Sequence, residues 1–358
     1  MTRQHRKRVV IAMSGGVDSS VAAARLLDNG FDVIGVTLHL WEPPDTTKQS
    51  RCCAPEDVRQ AQRVADMLNF PHYSFDRREL FDQSIVNPFV DAYLSGTTPS
   101  PCARCNHIIK IPTLLGFARL VDATSVATGH YAQLSRNGGV WRLSRGLDRQ
   151  KDQSYFLSTI DTQSLRKLLF PLGRDTKASV RNEAARRGIA VAGKSDSQDL
   201  CFVPDGSYVQ FVEQHAADRL QPGWFVDVRG RKLGQHAGVH RYTIGQRRGI
   251  GISTGRRLFV RSIDAASGLV VVDDVASGCI SGVVIDAPTV AEGVVFPLKA
   301  LLQVRYKDAG AECTLERLAD GSVTARLDRT ITAASVGQLA VGYVGNDVVV
   351  GGTISRVM

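Results

Sequence analysis

The first group of residues that could do chemistry is a glycine- and serine-rich run near the start of the chain. Residues Ser14–Ser20 read SGGVDSS, follow a short apolar strand and open a helix. Glycines let the backbone turn tightly, and the N–H groups and dipole of a helix start favour a phosphate. The run lacks the Gly-Lys-Ser/Thr ending of a Walker A motif. It predicts a phosphate-binding loop, against the alternative of a glycine-rich turn that binds nothing.

The second group is the cysteines. Cys102 and Cys105 form a C-x-x-C on a proline-stiffened loop ahead of a helix, and Cys201 lies further along the chain. A thiol near a helix N-terminus has a lowered pKa, and Arg104 adds positive charge. One C-x-x-C is also compatible with half a zinc site, a redox pair or buried small residues, and no second pair completes a zinc site. Cys52 and Cys53 either line the same site or are structural.

Alternating strand and helix patterns in the first part of the chain must position these residues. The predicted strands are Arg8–Met13, Phe31–Leu40, His72–Asp76 and Thr124–Thr128, and the predicted helices are Val17–Asn29, Glu56–Leu68 and Arg78–Leu94, with a kink at Pro88. The stretch Leu165–Gly188 is predicted to be helical and basic. This alternation predicts an α/β fold, a doubly wound parallel sheet with helices on both faces.

The pattern changes after Phe202. Short β-branched runs such as Leu269–Asp273 and Val348–Val350 alternate with turn residues, which favours small β domains. We therefore predict a catalytic α/β domain over 1–202, a small central β-rich domain over 203–280 and a C-terminal β-barrel-like domain over 281–358. Cys313 and Cys279 are expected to be ordinary core residues of this β region.

Composition limits the class of protein. The chain has 358 residues, is 43% hydrophobic and carries a net charge of +9, which favours a polyanionic partner. The sequence contains no run of about 18 consecutive apolar residues, so no membrane span is predicted. Residues 1–8 lack the features of a signal peptide. We expect a cytoplasmic protein. The chain has seven cysteines, five of them before Gln210, and in reducing surroundings this spacing favours catalysis or metal binding over structural disulfides.

Several motifs in order resemble one family over nearly the whole chain. The loop at Ser14–Ser20 is similar to the SGGxDS loop of ATP pyrophosphatases. Together with it, the chain resembles bacterial tRNA-specific 2-thiouridylases at Cys52–Asp57, Thr98–Asn106, Thr128–Tyr131, Lys151–Leu157, Cys201–Phe202, Tyr242–Gly249, Val304–Tyr306 and Gly337–Gln338. Such enzymes activate the wobble uridine of the tRNAs for lysine, glutamate and glutamine with ATP and replace its 2-oxygen with sulfur.

The resemblance implies a role for individual positions. ATP would be bound by Ala12, Met13, Ser14, Gly15, Gly16, Val17, Asp18 and Ser19, with Leu38 and Gly129 near the adenine or ribose. Cys105 would be the nucleophile and Cys201 the carrier of a persulfide. Ser100, Pro101 and Cys102 would meet the target base, and the tRNA would be contacted by His130, Lys151, Asp152, Gln153, Arg305, Tyr306 and Gln338. Mg²⁺ would neutralise the phosphates, with Asp18 either an outer ligand or a carboxylate facing the helix dipole.

The route of the sulfur stays open at this point. Many relatives have aspartate where this chain has Cys102, so three thiolates, those of Cys102, Cys105 and Cys201, could hold a 4Fe–4S cluster with one open iron. The alternative needs a sulfur carrier or cysteine desulfurase that donates a persulfide to Cys201, and it ends in a Cys105–Cys201 disulfide. Two rival functions are a ligase that adenylates a small carbonyl substrate and a non-catalytic RNA-binding protein.

Overall fold

Seventeen strands and ten α-helices cover most of the described residues, which are 7–42, 55–189, 200–203, 207–252, 255, 257–274, 280–331 and 333–358 of the computed structural model. The strands are β1 (Arg8–Ala12), β2 (Asp32–His39), β3 (His72–Asp76), β4 (Ser125–Ala127), β5 (Ala132–Asn137), β6 (Val140–Arg145), β7 (Leu168–Leu169), β8 (Gly223–Val226), β9 (Lys232–His236), β10 (Phe259–Asp264), β11 (Leu269–Asp273), β12 (Ile280–Val290), β13 (Leu298–Gln303), β14 (Ala311–Arg317), β15 (Val323–Ile331), β16 (Leu339–Val344) and β17 (Asp347–Val357). The helices are α1 (Val17–Asp28), α2 (Pro55–Leu68), α3 (Arg78–Phe81), α4 (Asn87–Leu94), α5 (Pro101–Cys105), α6 (Ile111–Leu120), α7 (Ser154–Leu157), α8 (Thr162–Leu165), α9 (Lys177–Arg186) and α10 (Tyr208–His215).

The first region is built on a parallel sheet with the strand order β3-β2-β1-β4-β7. Strand β1 is buried on both faces: Val10 belongs to one apolar cluster, whereas Val9 and Ile11 belong to another. This two-sided burial explains why β1 is a continuous apolar run rather than an alternating one. The predicted α/β class and the central strands are confirmed.

Two long helices in this region contain a wide turn ahead of a proline. A π-helical turn, Asp82–Val86, joins α3 to α4 before Pro88, and a second one, Asn106–Lys110, joins α5 to α6 before Pro112. Proline has no N–H for the carbonyl four residues earlier, and its ring clashes with that carbonyl in a regular α-helix. The predicted helix Arg78–Leu94 is therefore continuous, with a widened turn before Pro88, and the kink at Pro88 stays a prediction.

The prediction of helix throughout Leu165–Gly188 is wrong for its first half. Strand β7 adds to the edge of the parallel sheet, and apart from Leu165, which ends α8, only Lys177–Arg186 is helical. Pro171 and Gly173 interrupt the helical pattern, and the Thr176 hydroxyl then accepts a hydrogen bond from the Ser179 N–H, which caps the start of α9.

The remaining strands form two β structures, as predicted. Strands β10-β11-β8-β9 make a four-stranded sheet, and strand β12 pairs with both β15 and β17, which closes β12-β15-β14-β13-β16-β17 into a barrel. Strand β17 also pairs with the hairpin β5–β6, where the Ser144 hydroxyl donates to Asp347 over 2.5 Å. A hairpin from within residues 1–202 thus extends the barrel sheet, and the exact domain limits stay a prediction. None of the described helices is long and apolar enough to cross a membrane.

Candidate active site

The loop Ser14–Ser20 connects the carboxyl end of β1 to α1 at the centre of the parallel sheet. Gly15 has a φ of 67°, and a Cβ built on it would lie 2.3 Å from the carbonyl oxygen of Asp57. The Ser19 hydroxyl accepts from the Ser14 N–H at 3.2 Å and donates to the Gly16 carbonyl at 3.1 Å. Gly16, at the N-cap, supplies no side-chain hydrogen bond to α1. The fold therefore presents an uncapped helix start on a tightly curved loop, which is suited to an anion.

The neighbouring predicted nucleotide residues surround this loop. A Cβ on Gly129 would lie 3.0 Å from the Ser19 nitrogen, so the chain after β4 packs directly on the first turn of α1. The Thr37 hydroxyl donates to the Met13 carbonyl at 2.8 Å and therefore accepts from the His72 Nε2–H, also at 2.8 Å. Among the other predicted residues, Ala12 ends β1, Leu38 is buried on β2, and Val17 is buried at the start of α1.

Asp18, in the first turn of α1, is bound by residues that the sequence reasoning missed. The Lys177 ammonium lies 2.7 and 2.8 Å from its two carboxylate oxygens, and the Tyr131 hydroxyl donates to it at 2.8 Å. Asp18 is thus an ion-paired carboxylate rather than one that faces only the helix dipole. No local signal could have found Lys177, which is 159 residues away along the chain.

The cysteine segment is anchored on the helix that runs from Arg78 to Leu94. Pro88 has no N–H for the Ser84 carbonyl, and this carbonyl accepts a hydrogen bond from Arg104 Nε at 2.7 Å. Cys102 is half-buried at the start of α5, whereas Cys105, at its end, is buried with 4% of its surface exposed. The Nε of Arg104 is therefore bound to a carbonyl of this helix.

The segment that carries Cys201 contacts the same helix through Phe202. Cys201 is half-buried, and the ring of the next residue, Phe202, packs at 5.5 Å from that of Phe81 and at 5.1 Å from that of Phe89. Cys105 and Cys201 contribute to one continuous apolar cluster and are both thiols in this structure. The fold brings the segments that carry the two cysteines to one helix although 96 positions separate these cysteines in the sequence.

Residues predicted to contact tRNA meet beside Cys102. The Tyr306 ring lies 4.5 Å from that of Phe156. Burial, followed by the negative charges of Asp152 and of the Cys102 thiolate, raises the pKa of Tyr306. Thr98, in the cysteine loop, donates its N–H to the carbonyl of Val336, next to Gln338. The barrel therefore contacts the cysteine loop directly.

The polar atoms of these predicted residues differ in what they bind. The Asp152 carboxylate is buried and accepts hydrogen bonds from Gly146, Ser154 and Arg145, so it organises the chain around it. Gln153 exchanges hydrogen bonds with the Tyr131 backbone, and the Gln338 amide oxygen accepts from the Ser335 N–H. Arg305 Nε is buried without a hydrogen-bond acceptor in the described part of the chain. Such a buried donor requires a partner from outside the described chain, such as an anion or a water molecule.

His130 follows Gly129 at the end of the sheet. Its Nδ1 lies 2.7 Å from the Thr128 hydroxyl, and its ring meets that of Phe170 edge-on. Removal of the ring from water, with a smaller effect of the Lys110 charge, lowers the pKa of His130 to about 3. The ring is therefore a neutral hydrogen-bonding group near pH 7.

Comparison with known proteins identifies the family. A family model described as a tRNA methyl transferase HUP domain matches residues 7–205, a PRC-barrel domain model of the same name matches 209–274, and an aminomethyltransferase beta-barrel domain model matches 291–354. A tRNA-specific 2-thiouridylase MnmA from Sorangium cellulosum is 51% identical and covers 98% of this chain and 93% of its own. Enzymes of the same name from Geobacter metallireducens and Syntrophotalea carbinolica are 41% and 42% identical, covering 100% and 99% of this chain and 99% and 100% of their own. The chain belongs to the bacterial tRNA-specific 2-thiouridylase family.

In this 2-thiouridylase, the three cysteines proposed as iron–sulfur ligands can be compared with what a metal site requires. Among the residues that the structure describes, no three His, Cys, Asp or Glu side chains are grouped so that they could hold a metal ion. Cys102, Cys105 and Cys201 are all described, and they do not form such a group. A 4Fe–4S cluster holds its thiolates further apart than a single metal ion does, so a cluster held by these three cysteines stays the alternative to the persulfide route.

Some predicted positions lie outside the described residues. These are Cys52, Cys53 and Cys279, together with most of the segment that leads into Cys201. Cys313 is fully buried in the barrel, and this burial raises the pKa of its thiol to about 12. Its prediction as a core residue is confirmed.

Proposed function

We propose that this 2-thiouridylase converts the wobble uridine of the tRNAs for lysine, glutamate and glutamine to 2-thiouridine, with ATP as the activator and a cysteine persulfide as the sulfur source. ATP would bind with its phosphates at the loop Ser14–Ser20 and its nucleoside between Leu38 and Gly129. The uncapped start of α1 supports this assignment, because its N–H groups and dipole favour phosphate. Mg²⁺ would accompany the nucleotide and neutralise its phosphates.

The 2-oxygen of uracil is a poor leaving group, and transfer of AMP from ATP makes it a good one. The uracil 2-oxygen would attack the α-phosphorus of ATP, so that an O–P bond forms and pyrophosphate leaves. The ring carbon that bears the adenylated oxygen then accepts a sulfur nucleophile, and AMP departs with the original oxygen. A methyl transfer, which the family descriptions name, would need none of the three cysteines.

Sulfur transfer would use Cys201 and Cys105 in turn. A sulfur carrier or cysteine desulfurase would leave a persulfide on Cys201, whose outer sulfur attacks the activated carbon and expels AMP. The Cys105 thiolate would then attack the Cys201 sulfur. A Cys105–Cys201 disulfide forms, and the bond to the outer sulfur breaks with its electron pair remaining on the 2-thiouridine. A thiol reductant would restore both cysteines.

The rest of the site would position the tRNA. Ser100, Pro101 and Cys102 would meet the base after it leaves the anticodon stack, as enzymes that modify bases require. Arg305 supports this placement, since its buried Nε is an unused donor next to Tyr306. His130, Lys151, Gln153 and Gln338 would make further contacts, while Asp152 would act by holding its neighbours in place.

One observation carries the proposal. Arg104, between the cysteines of α5, hydrogen-bonds to Ser84, and Phe202, beside Cys201, packs on Phe81. The segments that carry the two remote cysteines thus contact one helix, in the domain that carries the nucleotide loop. Neither a small-molecule ligase nor an RNA-binding protein needs this arrangement.

The test is a thiolation assay on unmodified tRNA with ATP, Mg²⁺ and a persulfide donor. We expect 2-thiouridine in the tRNA and AMP release that depends on tRNA. Cys201→Ser and Cys105→Ser should each abolish thiolation, because each removes one sulfur of the relay. Cys313→Ala is the matched control, since it removes a thiol from the barrel core and should leave thiolation intact.

Other outcomes would contradict the proposal. Release of AMP with a small amine acceptor and no tRNA would favour a ligase. The absence of any ATP turnover would favour an RNA-binding protein. Thiolation in proportion to bound iron, measured after anaerobic purification, would refute the persulfide route.

A further inference from the structure

A nearly buried lysine is paired with the acidic residue of the nucleotide loop. Lys177 is the first residue of α9, and only 12% of its side chain is exposed. Its ammonium contacts both carboxylate oxygens of Asp18, at 2.8 and 2.7 Å. The Tyr131 hydroxyl donates a third hydrogen bond to the same carboxylate, and Tyr131 is itself fixed to Gln153 through its backbone.

The Asp18–Lys177 ion pair lies at the start of α1, where its charges act on the phosphates of a bound nucleotide. Asp18 is the second residue of α1, in the turn that is proposed to bind the ATP phosphates. A carboxylate in that turn is favourable toward the helix dipole, but it repels a polyphosphate that binds at the same helix start. A cation held against the carboxylate at hydrogen-bonding distance removes most of this repulsion.

The docking of α9 on α1 does not depend on Lys177. Arg25, in the last turn of α1, binds Asp175 at 2.5 and 2.9 Å and Glu183 at 2.6 Å. Val180 and Ala184 of α9 are fully buried in the same apolar cluster as α1. Loss of the Lys177 ammonium would therefore remove a charge from the nucleotide loop and leave the helix in place.

We propose that Lys177 is a positioning residue of the nucleotide site, which neutralises Asp18 so that the ATP phosphates can bind at the start of α1. The inference rests on the proposed ATP site. It assigns Lys177 no contact with ATP itself, and the effect of the lysine on the nucleotide passes through the Asp18 carboxylate.

The test measures equilibrium binding of α,β-methylene-ATP to the full chain by calorimetry, without tRNA and in EDTA, so that no metal ion replaces the lysine. Lys177→Met should weaken binding by roughly tenfold or more, because the Asp18 charge is then uncompensated. Adding Asp18→Asn to Lys177→Met should restore affinity to within about threefold of the original protein, since the charge to be neutralised is gone.

Matched variants separate this role from a structural one. Lys299 of the barrel makes the same two-oxygen contact with Asp328, at 2.8 and 2.9 Å, so Lys299→Met should leave nucleotide affinity unchanged. Unchanged affinity in Lys177→Met would overturn the inference. A double variant that is folded, with an unaltered melting temperature, but does not regain nucleotide affinity would also overturn it. If the unaltered protein thiolates tRNA, either result leaves the proposed function standing. If the unaltered protein binds no analogue in EDTA or with Mg²⁺ added, the inference and the ATP site fall together; binding only with Mg²⁺ would overturn the inference alone, because Lys177 would then not suffice to neutralise Asp18.

Discussion

Replacing Gly15 with alanine should damage the nucleotide loop through a steric effect that can be worked out from the structure. The new Cβ would lie 2.3 Å from the Asp57 carbonyl oxygen, whereas real Cβ atoms essentially never approach closer than 3.0 Å. Because the obstacle is backbone of α2 and not a flexible side chain, the loop itself must move by at least about 0.7 Å. Misplacement on the order of 1 Å lowers catalytic efficiency roughly 10²-fold. We expect a loss of that size in kcat/KM for ATP.

Gly30→Ala separates the clash from the backbone strain. Gly30 has a φ of 77°, close to the 67° of Gly15, but a Cβ built there meets nothing within 4 Å. Gly30→Ala should lose about 1–2 kcal/mol of stability, the cost of a left-handed conformation for a residue other than glycine, and Gly15→Ala at least as much, because the clash adds to this cost. Only Gly15→Ala should affect tRNA-dependent AMP release at varied ATP. A folded Gly15→Ala protein with the same kcat/KM as Gly30→Ala would refute the assignment of this loop to the phosphates.

Two further predictions concern stability. Tyr155→Phe removes the 2.6 Å hydrogen bond from a buried hydroxyl to the Leu339 carbonyl of the barrel and should cost about 1–3 kcal/mol in urea unfolding, while Tyr73→Phe, at an exposed ring, should cost nothing measurable. In the folded chain the pKa of His130 is lowered to about 3, below its ordinary value. Below pH 6.5 the unfolded chain therefore binds a proton at this residue and the folded chain does not, so the free energy of unfolding should fall as pH drops below about 6.5. His130→Gln should make this fall, measured between pH 7.5 and 5.5, smaller than in the unaltered protein or in the exposed-site control His107→Gln; an equal fall in all three would contradict the assignment.

Local sequence patterns were enough to predict the parallel sheet. Strand β3 occupies the predicted range His72–Asp76, whereas β1 is one residue shorter than predicted at one end and β2 is one residue shorter at each end. Continuous apolar runs between helical patterns carry this information, because burial on both faces leaves no room for polar residues. The same reasoning failed from 166 to 176, where a two-residue strand has too few residues to show any period.

Contacts across long stretches of sequence could not be predicted. The turn at Asn137-Gly138-Gly139 is a recognisable hairpin signal, but nothing local indicates that the hairpin β5–β6 extends the barrel of the last domain. The ion pair of Asp18 with Lys177 and the burial of Asp152 likewise leave no signal in the local sequence. Sequence reasoning proposed which residues matter, whereas the three-dimensional fold determines which of them touch one another.

The contacts of the cysteine loop suggest why the reaction would require the whole chain. A Cβ on Gly96 would lie 2.6 Å from the Ile263 side chain of the central β sheet, and the Thr98 N–H binds the Val336 carbonyl of the barrel. The loop that leads to Cys105 is therefore shaped by both β structures and not by the α/β domain alone. A tRNA that binds the β structures would act on this loop through direct contacts. Binding energy gained far from the base can in this way be used to order the reacting groups.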